Sequence, residues 1–233
     1  SNQINIILEK FQGSIEPGDI YMLNNPYEGG THYNDVGVIK PIFVGGNLFA
    51  FAITISHWTD IGGKAPGSLP ADSTEIFQEG ICFPGIHIFK SGVRQDGVFE
   101  MIAHNVRIPK MALGDLNAAL ASVRIAENRC LELCDKYGEQ AVGETFRHIL
   151  ESSERVSRAA VAALPDGIYH AEDWVDGDGI TEERFPTRVE VRIKGDEVTF
   201  DFTGSSVQTP GFVNAPFAAT ASAVSGGRTW SRR

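Results

Sequence analysis

Hydrophobic positions recur with two different periods along this 233-residue chain. Between residues 20 and 55 they alternate with polar positions or form short apolar runs, a pattern typical of β-strands. From residue 98 to about residue 163 they recur every three to four positions, which indicates amphipathic helices. Beyond residue 167 the alternation returns. The pattern predicts a mixed α/β (α+β) protein, with strands expected at 20–24, 36–43, 48–55, 168–175, 188–193 and 197–203.

These changes of period divide the chain into three predicted regions. Residues 1–105 are expected to be β-rich, after a short amphipathic helix over 4–12. Residues 106–165 are expected to form a helical hairpin. Residues 166–233 are expected to form a β meander, followed by the start of a helix over 215–224 and a last stretch without an element pattern.

The helical region contains one expected break and one expected reversal. The first helix is predicted from Val98 to about Leu133, broken at Pro109, because proline cannot donate the helical hydrogen bond. Gly138 is expected to end it, and a second helix is predicted over 139–163. The two helices are therefore expected to lie antiparallel.

Two predicted strands flank a turn, Val44-Gly45-Gly46-Asn47, that suits a β-hairpin. Pairing outward from this turn sets Asp35 roughly opposite Ser56, so that the outer strand ends meet. The residues that follow, 61–97, are rich in glycine and proline and are expected to be loop-rich and to wrap this region or a partner interface.

A pattern repeats at the two outer ends of this hairpin: Thr31-His32-Tyr33-Asn34-Asp35 and Ser56-His57-Trp58-Thr59-Asp60. Each copy has a histidine three residues before an aspartate. Imidazole and carboxylate together suit Zn²⁺, Mn²⁺ or Fe²⁺. The alternative is that each histidine is only hydrogen-bonded near a turn. The predicted metal ligands are His32, Asp35, His57 and Asp60, and the predicted surrounding residues are Asn24, Asn25, Tyr27 and Trp58.

Composition and charge narrow the classes of function. The formal net charge of −10 disfavours a nucleic-acid binder, which needs a basic face. No apolar run approaches the roughly 20 residues that span a bilayer, and no signal peptide is recognisable, so a cytoplasmic location is expected. Three cysteines form neither a zinc-ligand pattern nor an even disulfide framework.

Other binding patterns are weak or missing from the sequence. No Walker or dinucleotide pattern is present, so no nucleotide is expected on this chain. The acidic turn Asp176-Gly177-Asp178-Gly179 suggests a calcium loop, but its twelfth position is Thr187 instead of glutamate.

Several stretches resemble the hydantoinase B/oxoprolinase family, and the resemblance covers nearly the whole chain. One departure is Asn25, where the family commonly has aspartate. The matching stretches run over 18–36, 56–63, 66–68, 70–80, 114–116, 164–167, 201–206 and 214–216, and include Asn24-Asn25-Pro26-Tyr27-Glu28-Gly29-Gly30-Thr31-His32 and Asp201-Phe202-Thr203-Gly204-Ser205-Ser206.

The resemblance implies a subunit of an ATP-dependent hydrolase that opens a cyclic amide such as hydantoin or 5-oxoproline. A hydantoinase A-type partner would bind ATP, and a zinc or manganese ion would lie at the four predicted ligands. Two alternatives stay open: a subunit of an acetone or acetophenone carboxylase, and a non-catalytic subunit with a structural metal. Because family members are longer, the resemblance also implies a central fragment of a subunit that works in a hetero-oligomer.

Overall fold

Two antiparallel sheets and a pair of long helices make up most of the protein. The computed structural model describes residues 2–230, with side chains described as far as Ser225. The strands are β1 (Ile20–Leu23), β2 (Asp35–Val44), β3 (Asn47–His57), β4 (Ile86–Lys90), β5 (Val93–Arg94), β6 (Gly167–Val175), β7 (Phe185–Lys194) and β8 (Glu197–Asp201). The helices are α1 (Asn2–Lys10), α2 (Asp96–Asn105), α3 (Pro109–Tyr137), α4 (Glu139–Ala162) and α5 (Phe217–Trp230). This confirms the mixed α/β prediction.

The first sheet has five strands in the order β3-β2-β1-β4-β5. Strands β4 and β5 lie within 61–97, the segment that was expected to be rich in loops, and these two strands were not predicted there. Strand β4 is five residues long and is followed after Lys90 by a two-residue turn, Ser91 and Gly92. Such a short run shows too few alternations to be separated from a loop by its pattern. Pairing with β1 makes it a strand.

The predicted hairpin is formed by β2 and β3, with a register one residue away from the expected one. Asp35 pairs with His57, and Val36 pairs with Ser56. A β-bulge between Ile42 and Phe43 shifts the register, because the extra residue on one strand moves every later pair by one position. Asp35 and His57 therefore lie side by side on one face of the sheet.

The helical hairpin has the predicted break and reversal. Helix α2 ends at Asn105 and α3 begins at Pro109, which occupies the first helical turn, where no N–H donor is needed. Gly138 alone joins α3 to α4 with a φ of 86°. Glycine reaches this left-handed region without the steric cost that a Cβ imposes.

The core lies on both faces of the central strands. On one face, α2 and α3 pack over the sheet and share a core cluster that includes the fully buried Trp58, Phe83 and Leu116. On the other face, α1 covers a smaller cluster with Ile7 and Tyr21. Each large side chain buried in this way contributes about 1.5–3 kcal/mol of transfer free energy. Burial on both faces holds β1 and β2 rigidly, and with them the start of β2 at Asp35.

The second sheet is the predicted meander, in the order β6-β7-β8. Helix α5 begins at Phe217, close to its predicted start, and continues through 225–230, which was expected to have no element. Two glycines within that stretch weaken the helical pattern without ending the helix. The rest of that stretch, 231–233, lies outside the described residues. Among the described helices, none combines the length and apolarity that crossing a bilayer requires.

Candidate metal centre

The start of β2 and the end of β3 bring together three of the four predicted ligands. His32 lies in the turn before β2, Asp35 is the first residue of β2, and His57 is the last residue of β3. The turn is closed by the Asp35 amide, which donates to the His32 carbonyl oxygen at 3.1 Å. One ligand atom from each of the three side chains lies within 4.8 Å of the others.

Short contacts between polar atoms define the geometry of this group. His57 Nδ1 lies 3.1 Å from Asp35 Oδ1, and His32 Nδ1 lies 3.1 Å from Asp35 Oδ2. His32 Nε2 lies 3.0 Å from His57 Nδ1. His32 thus offers two nitrogens, of which a single ion would use one. In a tetrahedral zinc site with bonds of about 2.0–2.3 Å, ligand atoms lie about 3.3 Å apart. The three side chains therefore fit a divalent ion after small shifts.

Thr31 is a supporting residue that the sequence interpretation did not single out. Its hydroxyl donates to Asp35 Oδ2 and lies 3.3 Å from His32 Nδ1. It therefore holds the carboxylate on the side of the histidines. Its place directly before His32 is the signal that could have identified it.

Two hydrogen bonds between Asn34 and Trp58 join the two copies of the repeated pattern. The Trp58 amide donates to the Asn34 carbonyl oxygen at 2.8 Å, and Asn34 Nδ2 donates to the Trp58 carbonyl oxygen at 2.9 Å. Asn34 Nδ2 also donates to the Gly67 carbonyl oxygen at 3.2 Å. Asn34 is buried, so these bonds are shielded from water. They fix the positions of His57 and Asp35 relative to each other.

Asp60, the fourth predicted ligand, does not join the group. Asp60 is 4% exposed, and its carboxylate pairs with Arg107, whose backbone N–H and Nη1 each donate to it at 2.9 Å. The amides of Gly62 and Gly67 donate to it at 3.1 Å. Burial alone would raise the pKa of Asp60, but these hydrogen bonds outweigh burial and hold the pKa below its ordinary value. Asp60 therefore ties the loop after β3 to the α2–α3 junction, a role that corrects its predicted place among the ligands.

The four predicted surrounding residues have different positions. Asn24 is buried and donates to the carbonyl oxygens of Tyr33 and Ile81. Asn25 accepts from the Tyr27 amide at the start of a 3₁₀ turn. Trp58 is a core residue, whereas Tyr27 is 75% exposed. In the part of the chain that the structure describes, none of these four side chains forms a hydrogen bond with the three ligand side chains.

A cleft of about 570 Å³ has Thr31 and His32 in its wall. Its lining comes from the loop after β3, with Ser73, Glu75 and Glu79, and from the segment 205–216 after β8. This volume is within the range of small-molecule sites. His32 therefore belongs both to the candidate metal centre and to the wall of a space that a small ligand can occupy.

The walls of the cleft are joined by the acidic turn that suggested a calcium loop. The buried Asp178 carboxylate accepts from the amides of Ile180 and Thr181, and from the amide of Gly211 at 2.9 Å. Gly179 packs so closely on the carbonyl oxygen of Ala71 that no Cβ would fit there. The turn is thus held by internal hydrogen bonds and connects the two loops that line the cleft.

Comparison with known proteins supplies the class to which this fold and site belong. The model of the hydantoinase B/oxoprolinase family matches residues 1–229. The chain therefore belongs to the hydantoinase B/oxoprolinase family.

Three individual proteins show the range of this similarity. A candidate B-type component of a D-/L-hydantoinase from Pseudomonas sp. (strain NS671) is 34% identical over 92% of the chain. The acetophenone carboxylase delta subunit of Aromatoleum aromaticum (strain DSM 19018 / LMG 30748 / EbN1) is 31% identical over 91% of the chain and is covered to 31% of its length. The crystal structure of the ATP-dependent caprolactamase of Pseudomonas jessenii superposes with a TM-score of 0.91 at 28% identity, over 99% of this chain and 40% of that chain.

The chain matches only part of the length of these relatives. The chain spans 37% of the length of the hydantoinase relative. The similarity thus defines the family and the fold of this part.

Proposed function

We propose that the chain is part of a subunit of an ATP-dependent enzyme that opens a cyclic amide of the hydantoin or 5-oxoproline type. The supporting observation is the group of His32, Asp35 and His57, of which His32 also lines a cleft, in a chain of the hydantoinase B/oxoprolinase family. Three protein ligands leave coordination positions open, as catalytic sites do, whereas structural zinc sites are closed by four.

The proposed ion is zinc or manganese, held by His32, His57 and Asp35. When bound, such an ion polarises an oxygen atom of a ligand or lowers the pKa of a water molecule. Neighbouring residues of this chain would hold the metal-binding side chains in place. The Thr31 hydroxyl orients the Asp35 carboxylate, and Asn34 fixes the two strand ends.

The ATP chemistry is assigned to a hydantoinase A-type partner subunit. In this scheme the partner transfers the terminal phosphoryl group of ATP to the amide oxygen. Water then adds at the amide carbon, and the ring C–N bond breaks as the ring nitrogen takes up a proton, which leaves an acyl phosphate. A second water molecule then releases phosphate from this acyl phosphate and forms the carboxylate. The present chain holds the ring in the cleft during the second stage.

The experiment that tests this proposal uses the complete enzyme complex and two histidine variants. His57→Ala should lose the bound metal, and ATP-dependent ring opening of hydantoin should fall at least about 100-fold, a barrier increase of about 2.7 kcal/mol. His148→Ala, at an exposed histidine on α4, is the matched control and should change neither quantity. Elemental analysis and product chromatography give the two readouts. An unchanged turnover in a complex that lacks the metal would contradict a catalytic role and leave a structural one.

The second candidate function is an ATP-dependent ketone carboxylase. The similarity to the acetophenone carboxylase delta subunit favours it. Supplying the same complex with acetophenone, bicarbonate and ATP separates the two reactions, because only a carboxylase then forms a carboxylated product.

A further inference from the structure

Glu79 is a carboxyl group that shares the cleft with a candidate metal ligand. It lies in the loop after β3, is half-buried, and lines the same cleft as His32. Among the described residues, no group donates a hydrogen bond to its carboxylate. Glu28 has an unpartnered oxygen that is sealed from solvent, whereas Glu79 has none. The unpartnered Glu79 carboxylate is therefore open to solvent and can exchange a proton with a molecule in the cleft.

The backbone that carries Glu79 is held firmly in place. Residues 61–64 and 78–81 are joined by two backbone hydrogen bonds of 2.8 and 2.9 Å. Gly63 packs so closely on this backbone that a Cβ there would lie 2.5 Å from the Gln78 carbonyl oxygen. A group that acts in catalysis needs such a fixed support, because small displacements cost reactivity.

The electrostatic surroundings of Glu79 suit the transfer of a proton. Burial raises the pKa of Glu79, and the described lining residues include no lysine or arginine that would offset this effect. A carboxyl group whose pKa is moved towards neutrality is a better proton carrier than an ordinary one. After burial and the Cys82 thiol, the charge of Glu79 also raises the pKa of Tyr33. Because Tyr33 directly follows His32, the Glu79 carboxylate lies within electrostatic range of the turn that carries this ligand.

We propose that Glu79 carries protons from the attacking water to the ring nitrogen during ring opening. This inference rests on the proposed function and adds a residue to it. The carboxylate accepts a proton as the water oxygen bonds to the amide carbon, and it donates a proton to the ring nitrogen as the C–N bond breaks. The O–H bonds of the water are thereby exchanged for N–H bonds. Nothing is oxidised or reduced, and Glu79 ends as the carboxylate with which it began.

The test compares Glu79→Gln with the wild type in the complete enzyme complex. Ring opening of hydantoin should fall at least about 100-fold, as expected when a general acid–base group is removed. The metal content and the ADP formed in the first turnover should stay unchanged, because Glu79 is not a proposed ligand and phosphoryl transfer precedes its step. Glu151→Gln, at an exposed glutamate on α4, is the matched control and should change none of the three quantities.

Chemical rescue separates proton transfer from a structural role of Glu79. In Glu79→Ala the side chain is shortened, and added formate supplies a small carboxylate in its place. Formate should raise the rate of ring opening by this variant at least about tenfold, because it restores a proton carrier. It should not raise the rate of the wild type. A variant that still forms ADP in the first turnover but is not accelerated by formate would overturn the proposal.

The wild-type complex distinguishes failure of this inference from failure of the proposed function. If it opens no hydantoin in the presence of ATP, the proposed function fails, and the role of Glu79 fails with it. If it opens the ring and Glu79→Gln opens it at the same rate, only the role of Glu79 is overturned.

Discussion

Asp35 and Asp60 occupy equivalent places in the repeated pattern, yet their carboxylates have different partners. Asp35 begins β2 and lies between two histidines. Asp60 lies three residues beyond the end of β3, where the chain has turned towards the α2–α3 junction, and its partner is Arg107. Equal spacing from a histidine therefore places a carboxylate beside both histidines only where the strand pairing also brings the second histidine close.

These positions predict opposite effects for two conservative substitutions. Asp35→Asn should abolish metal binding while changing the free energy of unfolding of the metal-free protein by less than about 1 kcal/mol. Asp60→Asn should keep the metal but lower the free energy of unfolding by about 2 kcal/mol, because hydrogen bonds to a charged group are weakened in a buried site. Metal analysis and urea unfolding give the two quantities. Loss of metal from Asp60→Asn at unchanged stability would show that Asp60 is a ligand after all.

At the level of elements, the hairpin of β2 and β3 and the loop after it position the site. Gly62 illustrates how closely this loop packs on α2: a Cβ there would lie 2.6 Å from the Asn105 carbonyl oxygen. The same residue contributes an amide to Asp60 and a carbonyl oxygen to Arg107. The loop is therefore fixed to the helices by a close backbone approach as well as by the ion pair.

Two alanine substitutions in this loop isolate the contribution of that close approach. Gly62 and Gly67 have similar φ values of 89° and 83°, but Gly67 has free space around it. Both variants should lose about 1–2 kcal/mol from left-handed strain, and Gly62→Ala should lose about 1–3 kcal/mol more from overpacking. Thermal or urea unfolding measures the difference. Equal losses would mean that α2 moves away at no cost.

Much of this architecture was predictable at the level of elements, and less at the level of contacts. The long helices and the hairpin follow from periodicity and from Pro109, Gly138 and the turn at Gly45. The bulge at Ile42 and Phe43 was not predictable, because its residues continue the strand pattern. The pairing of Asp60 with Arg107 joins positions far apart in the chain, and local spacing carries no information about such a contact.

At the scale of the whole molecule, Asp178 connects the loop between β6 and β7 to the segment after β8. The amides of Thr181, Ile180 and Gly211 lower the pKa of Asp178 to about 2, although burial opposes them. Because Gly179 packs against Ala71, the same turn also contacts the loop after β3, which contributes to the lining of the cleft. The ionised carboxylate therefore stabilises the arrangement around the cleft.

This arrangement predicts a particular dependence of stability on pH. The folded pKa of Asp178 is below the unfolded value of about 3.9, so between these values the unfolded chain binds more protons. The stabilisation is fully present above about pH 4 and is lost as the pH falls towards about 2. Asp178→Asn should flatten the fall in unfolding free energy over this interval, whereas Asp135→Asn, at an exposed position on α3, should retain it. Identical pH profiles for the wild type and Asp178→Asn would contradict this assignment.

The two hydrogen bonds between Asn34 and Trp58 have a consequence for which metal ion would be selected. Because the two strand ends are already fixed, an ion would enter a preorganised frame, and no loop would lose conformational entropy on binding. A rigid frame discriminates by bond length. Zinc, with bonds of about 2.0–2.1 Å to nitrogen, would need only small shifts of the present spacing, whereas calcium, which prefers about 2.3–2.6 Å and more oxygen ligands, would have to spread the strands apart. Asn34→Ala would remove one of the hydrogen bonds that fix the strand ends. It should therefore reduce the preference for zinc over calcium more than it reduces the affinity for zinc.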